Sequence, residues 1–151
     1  MRLLSILFTL LILFAVSCGN PENNEIEKVL SDREEALETK NVDLYMSLIS
    51  PSYSLEKDNK VIGVEEVRKN FLSNVTLFDN LEISHTARSI YDKGQKTEVV
   101  QMVVVVATVN ESKSRFKINE RIEFAKIDGK WLIVKESDAD FLERFVFGGS
   151  N

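Results

Sequence analysis

Glu120 stands among Phe116, Ile118, Ile122 and Phe124, each an even number of positions away, so an extended chain here sets a carboxylate in the middle of an apolar face. Loss of water disfavours the ionised form and raises the pKa of such an acid, which is one way to make a proton-abstracting base. Donors that could serve it are His85, in step with Leu81, Ile83 and Ala87, and the phenols Tyr53 and Tyr91. The alternative for Glu120 is structural: an arginine partner, or a place near an open rim. His85, the sole histidine, has the same two readings, catalytic donor or hydrogen-bonded strand residue. Trp131 reads as a core anchor whose indole N–H could also face a pocket, with Phe116 and Ile118 as apolar walls.

Other chemistries lack their residues. One histidine and one cysteine, Cys18, cannot make a zinc site, so no metal is expected. There is no glycine-rich phosphate loop and no Gly-x-Ser-x-Gly elbow, so neither a nucleotide cofactor nor serine hydrolysis has support, and no cofactor is expected. The formal net charge is −5, and no basic cluster follows the first residues, which argues against nucleic acid as a partner.

Cys18 closes an apolar run from Leu3 to Val16 in which only Ser5 and Thr9 are polar. The run is too short for a bilayer span, which needs about 20 apolar residues, and with Arg2 ahead of it matches a secretory leader. Ala15-Val16-Ser17-Cys18 resembles a bacterial lipobox, with Ala15 where leucine is preferred. The resemblance implies cleavage before Cys18, acylation of its sulfur, and a chain anchored to a membrane instead of spanning it. A lone cysteine has no partner for an internal disulfide, which fits an attachment role. The expected location is the bacterial cell envelope, facing the periplasm or the exterior.

The elements follow from periodicity. Ile26, Val29, Leu30, Arg33 and Leu37 share one helical stripe, and Asn24 with Glu27 resembles a capping pair, which predicts a helix over about 25–39. Asn41 caps a second helix over 42–49, ended by Pro51. "YSLEKDNKVIG" predicts a small hairpin turning at Asp58-Asn59, and Gly63 opens a third helix with Val64, Val67, Phe71 and Leu72 inward. From residue 81 the period becomes two. Strands are predicted over 81–91, 97–109, 114–126 and 131–137, joined by turn sequences that force antiparallel neighbours. In "VVQMVVVVATV" valines occupy both alternating sets, so both faces should be covered, one by helices and the other by a second copy of the chain. Against a broad dimer face, the next strand offers Arg115, Lys117, Asn119, Arg121 and Glu123 to solvent. This is an α+β domain with its helices on one face of the sheet.

The order of elements, with "NVDLYMSLISPSYSL", Gly63 in "VIGVEEVRKNF" and the closing "FAKIDGKWLIVKES", resembles the nuclear transport factor 2-like superfamily, near its SnoaL-like and lipoprotein members, over about residues 24–137. The resemblance implies a cone: a bent antiparallel sheet wrapped against N-terminal helices, with a pocket at the open end. That fold hosts isomerases, cyclases, dehydratases and ligand binders, so it leaves function open. Ketosteroid isomerase, on the same fold, uses an Asp base with Tyr and protonated Asp donors; none of these aligns with a residue of this chain.

The expected organisation is a leader over 1–17, acylated cysteine and tether over 18–23, the domain over 24–137, and an amphipathic tail over 138–151 carrying Phe141, Leu142, Phe145, Val146 and Phe147. The tail is expected to pack on the sheet, plug the cone or meet a partner. The leading expectation is an envelope lipoprotein that binds a small apolar ligand or a protein partner without catalysis. The competing one is a small isomerase or dehydratase with Glu120 as base and His85 or Tyr53 as donor. Cys18→Ser should leave the leader uncut and stop the mature chain from sedimenting with lipid vesicles, read by mass spectrometry and flotation; unchanged processing and sedimentation would refute the anchor.

Overall fold

The computed structural model describes residues 21–57 and 60–136. Helix α1 spans Pro21–Glu38. It starts earlier than the Asn24 and Glu27 pair suggests, because proline is favoured in the first helical turn, where its missing N–H has no partner to lose. Part of the expected tether is therefore helix. Ile26, Leu30, Arg33, Ala36 and Leu37 form the buried stripe. The helix ends where Lys40 turns left-handed at φ 57°, letting Asn41 N–H reach Ala36 O at 2.8 Å and Lys40 N–H reach Leu37 O at 3.3 Å.

Helix α2 spans Val42–Ser47, and Asn41 Oδ1 caps it by accepting from Leu44 N–H at 3.0 Å. Strands β1 (Leu55–Lys57) and β2 (Lys60–Ile62) pair as the small hairpin. Helix α3 (Val64–Val75) follows Gly63 and buries Val67, Phe71 and Val75; Leu72, expected inward, is exposed.

Strands β3 (Asn80–Asp92), β4 (Lys96–Val109), β5 (Ser112–Ile127) and β6 (Lys130–Glu136) form an antiparallel meander in that order. Two of its turns are two-residue loops with both residues left-handed, Asn110-Glu111 (φ 47° and 65°) and Asp128-Gly129 (φ 51° and 78°). This turn type matches the twist of paired strands. The helices join the sheet through a parallel bridge between Ile49 and Ile133, with Ser50 N–H on Ile133 O and Ile133 N–H on Leu48 O, both 2.8 Å.

Register decides which side chains face the helices. Val99, Gln101, Val103, Val105 and Ala107 of β4 are buried on the inner face beside Ile118, Glu120, Ile122 and Phe124 of β5. On the outer face Val104 is buried and Val100 and Val106 are partly so, between β3 and the exposed Arg115, Lys117, Asn119 and Arg121. Among the described residues, this outer valine row lies beside the side chains of β3 and β5. Two irregularities break the alternation. One at Thr86 moves Ala87 to the face opposite His85, contrary to the even spacing, and one between Glu123 and Phe124 turns Glu136 inward opposite Ile122.

Candidate functional site

Arg33 is where the interior polar groups converge. It stands in the apolar stripe of α1, seven residues after Ile26, so the helix carries its guanidinium into the core. There β5 presents Glu120 and β6 presents Glu136, and all three side chains are at most 4 % exposed. Arg33 Nε donates to Glu136 Oε1 at 2.8 Å, while Nη1 and Nη2 donate to Glu120 Oε1 and Oε2 at 3.3 and 3.2 Å. The Tyr45 hydroxyl donates to Glu136 Oε2 at 3.0 Å, and the Gln101 amide donates to Glu120 Oε1.

From Gln101 the contacts run outward across the sheet, because Arg88, Gln101 and Glu120 are cross-strand neighbours. Arg88 Nε donates to Gln101 Oε1 at 2.5 Å, and its two Nη groups hold Glu27 and Glu34 of α1. His85 stands at the outer end, 44 % exposed, with Nδ1 3.4 Å from Glu34 Oε1. A single polar row thus crosses the inner face and fastens α1 to three strands.

Burial alone would lower the arginine pKa, but Glu120 and Glu136 outweigh it and hold Arg33 well above its usual value. Burial, then the negative charge of Glu136, pushes the Tyr45 and Tyr53 phenols well above theirs. Tyr45 is therefore a fixed donor. The Tyr53 hydroxyl is buried beside the Glu136 main chain and closes no hydrogen bond of standard geometry among the described residues. Both Glu120 oxygens face the guanidinium, and one also accepts from Gln101, so both are engaged within the fold.

A cavity of about 380 Å³ lies at the other end of the sheet, lined by Leu77, Phe78, Ala107, Val109, Ser112, Ser114 and Phe116. Among the described residues no titratable side chain lines it, and its volume falls within the range of small-molecule pockets. Its walls are tied down. Lys40 Nζ donates to Phe78 O at 2.6 Å, Asp79 N–H reaches Thr108 O at 2.8 Å, and Asn110 N–H reaches Asp79 Oδ2 at 2.7 Å. A cleft of about 450 Å³ beside Lys93, Lys96, Glu98 and Glu123 is polar surface whose charges pair with one another.

The structure gives Glu120 an arginine, places Tyr53 beside Glu136, and sets His85 against Glu34 at the edge of the row. Phe116 lines the cavity. Ile118 is in the core, and Trp131 is buried near the opposite end, with Lys126 Nζ 5.5 Å from its ring and its indole N–H unpaired among the described residues. Sequence reasoning missed Glu136, Arg88 and the pairing role of Gln101. Gln101 is the one polar residue inside the valine run, and Arg33 the one charge inside the α1 stripe, so both carried a signal. Among the described residues no group of three His, Cys, Asp or Glu is placed to hold a metal, and no helix is long and apolar enough to cross a membrane.

No protein-family model matches the chain, and no curated protein matches it. Solved structures do. A nuclear transport factor 2-like superfamily protein from Salmonella enterica is 18% identical with a TM-score of 0.67, covering 75% of this chain and 86% of its own. A conserved protein from Planctomyces limnophilus is 16% identical with a TM-score of 0.68 over 78% and 94%. A protein described as a dehydratase of the NTF2-like family, from Streptomyces avermitilis, is 13% identical with a TM-score of 0.67 over 77% and 94%. The fold is therefore the nuclear transport factor 2-like cone, N-terminal helices on a curved antiparallel sheet.

Arg33→Met strands two buried carboxylates and should cost about 3–5 kcal/mol in urea unfolding. Arg33→Met with Glu120→Leu and Glu136→Leu should recover most of that; a triple variant as unstable as the single would contradict the account. The tyrosines give a second test. Their folded pKa values are raised and unfolded tyrosine titrates near 10, so their contribution is present below about pH 10 and is lost as pH rises past it. Tyr45→Phe should shallow that alkaline loss of stability, measured as urea midpoints on either side of about pH 10.

Proposed function

We propose that this chain is an envelope lipoprotein, anchored through Cys18, whose domain binds a small apolar ligand in the Leu77–Phe116 cavity without transforming it. The observation that carries the reading is the separation of polarity from space. The carboxylate best placed for base chemistry is saturated by Arg33 and Gln101, while the cavity is walled by apolar groups and two serines. An apolar site with a few hydroxyls orients a ligand by shape and one or two hydrogen bonds and supplies no proton acceptor of suitable strength. Tied walls suit binding, since little ordering is left to be done when the ligand arrives. α1 begins three residues after Cys18, so a lipid at that sulfur would hold the domain close to the bilayer.

The competing reading, a small isomerase or dehydratase using Glu120, draws on the dehydratase description of the Streptomyces avermitilis structure. The two separate by mutation. N-phenylnaphthylamine, an apolar fluorescent probe, should bind the chain, and Ala107→Phe, which fills the cavity, should weaken it about tenfold while Glu120→Gln leaves it within about twofold. Loss of probe binding on Glu120→Gln with Ala107→Phe silent would overturn the proposal. Native mass spectrometry of the protein from an envelope extract should show a retained small molecule that Ala107→Phe removes.

A further inference from the structure

On the face of the sheet opposite Gln101 and Glu120, the register sets three rows of side chains level with one another. β4 runs Val106, Val104, Met102 and Val100 down the middle, Val104 buried and the others half-buried. On one flank β3 carries Glu82, Ser84, Ala87 and Ser89, and on the other β5 carries Arg115, Lys117, Asn119 and Arg121, all exposed. Glu82 is level with Val106 and Arg115, Ser84 with Val104 and Lys117, Ala87 with Met102 and Asn119, and Ser89 with Val100 and Arg121. The irregularity at Thr86 is what places Ala87 in this row. After the acid at its head, the β3 flank is short at each of these levels where the β5 flank is long. Tyr91, 50% exposed, comes next on β3, level with Glu98 and Glu123.

Such a face complements itself in one orientation. A two-fold axis parallel to the strands exchanges the flanks of two stacked sheets but keeps every level at its own height, so β4 lies on β4 and each short flank receives a long one. Arg115 of each copy then meets Glu82 of the other, Lys117 and Arg121 lie over Ser84 and Ser89, and the Tyr91 hydroxyl faces Glu123. A two-fold axis across the strands would lay β5 on β5 and set Arg115, Lys117 and Arg121 against their own copies, where like charges repel. Within one chain Glu82 lies 3.8 Å from Lys113, an exposed pair that holds weakly and leaves the carboxylate available to a stronger partner.

We infer that two copies of this chain associate through these outer faces, about a two-fold axis parallel to β4, with Glu82 of each paired to Arg115 of the other. The valine row becomes the apolar centre of the contact, and charges of both signs on its flanks are used. The cavity residues Ala107, Ser114 and Phe116 point to the other side of the sheet, so this contact stands apart from the ligand reading. Sedimentation equilibrium of the full chain, purified from envelopes in detergent, should show a dimer. Glu82→Arg and Arg115→Glu should each weaken it about tenfold, and the two together should return the dissociation constant to within about threefold of the parent, because exchanging both charges restores the pair. Ser84→Arg, which fills the short flank and opposes Lys117 with a like charge, should weaken the dimer at least as much. Far-ultraviolet circular dichroism of all four variants should match the parent, since every substituted side chain is exposed. A parent that stays monomeric at about 100 μM would overturn the inference. So would a dimer indifferent to both single charge reversals, or a double reversal weaker than either single one.

Discussion

An arginine on the buried stripe of a helix can be hidden from water only if negative charge and hydrogen-bond acceptors meet it there, and the rest of this domain is arranged around that demand. Arg33 enters the core from α1 and is met by Glu120 from β5 and Glu136 from β6, with Tyr45 of α2 completing the second carboxylate. A buried cluster of this kind contributes little net stability relative to a well-packed apolar core, yet it tolerates few arrangements. A slip of β6 by one residue would turn Glu136 out and Lys135 in, setting a second cation beside Arg33. The cluster therefore fixes the rotation of α1 and the register of the last two strands together, while the bridge from Ile49 to Ile133 fixes α2 on the same strand.

The same contacts shape what the domain can do. A carboxylate bound by a guanidinium and an amide is held in place, with both oxygens engaged inside the fold. Space for another molecule lies instead at the far end of the sheet, where the β4–β5 turn and the segment after α3 leave an apolar hollow. Among the described residues the ion cluster and the apolar hollow therefore lie at different levels of the same sheet.

Much of this was legible in the residues. The α1 stripe, the Asn41 cap, the meander and the inward set around Glu120 all followed from spacing, since each depends on a local period and a turn. Arginine pairing of Glu120 was one of its two readings, and Arg33 was visible in the stripe. What stayed hidden were events that break a period. The irregularity after Glu123 reverses the side on which Glu136 falls, and the one at Thr86 parts Ala87 from His85, and neither Thr86 nor Glu123 announces it in sequence. Pro21 was readable as a first-turn residue, but its polar neighbours made the segment look like a tether. The anchor at Cys18 and the aromatic tail lie outside the described residues.

Nitrogen-15 NMR of the Arg33 side chain tests the cluster most directly, with its signals assigned by their loss in Arg33→Lys. A guanidinium clamped by two carboxylates cannot rotate freely about its Nε–Cζ bond, so the account predicts separate Nη resonances with slowly exchanging protons. One averaged, rapidly exchanging Nη signal, like that of an exposed arginine, would show that Arg33 is not held between Glu120 and Glu136.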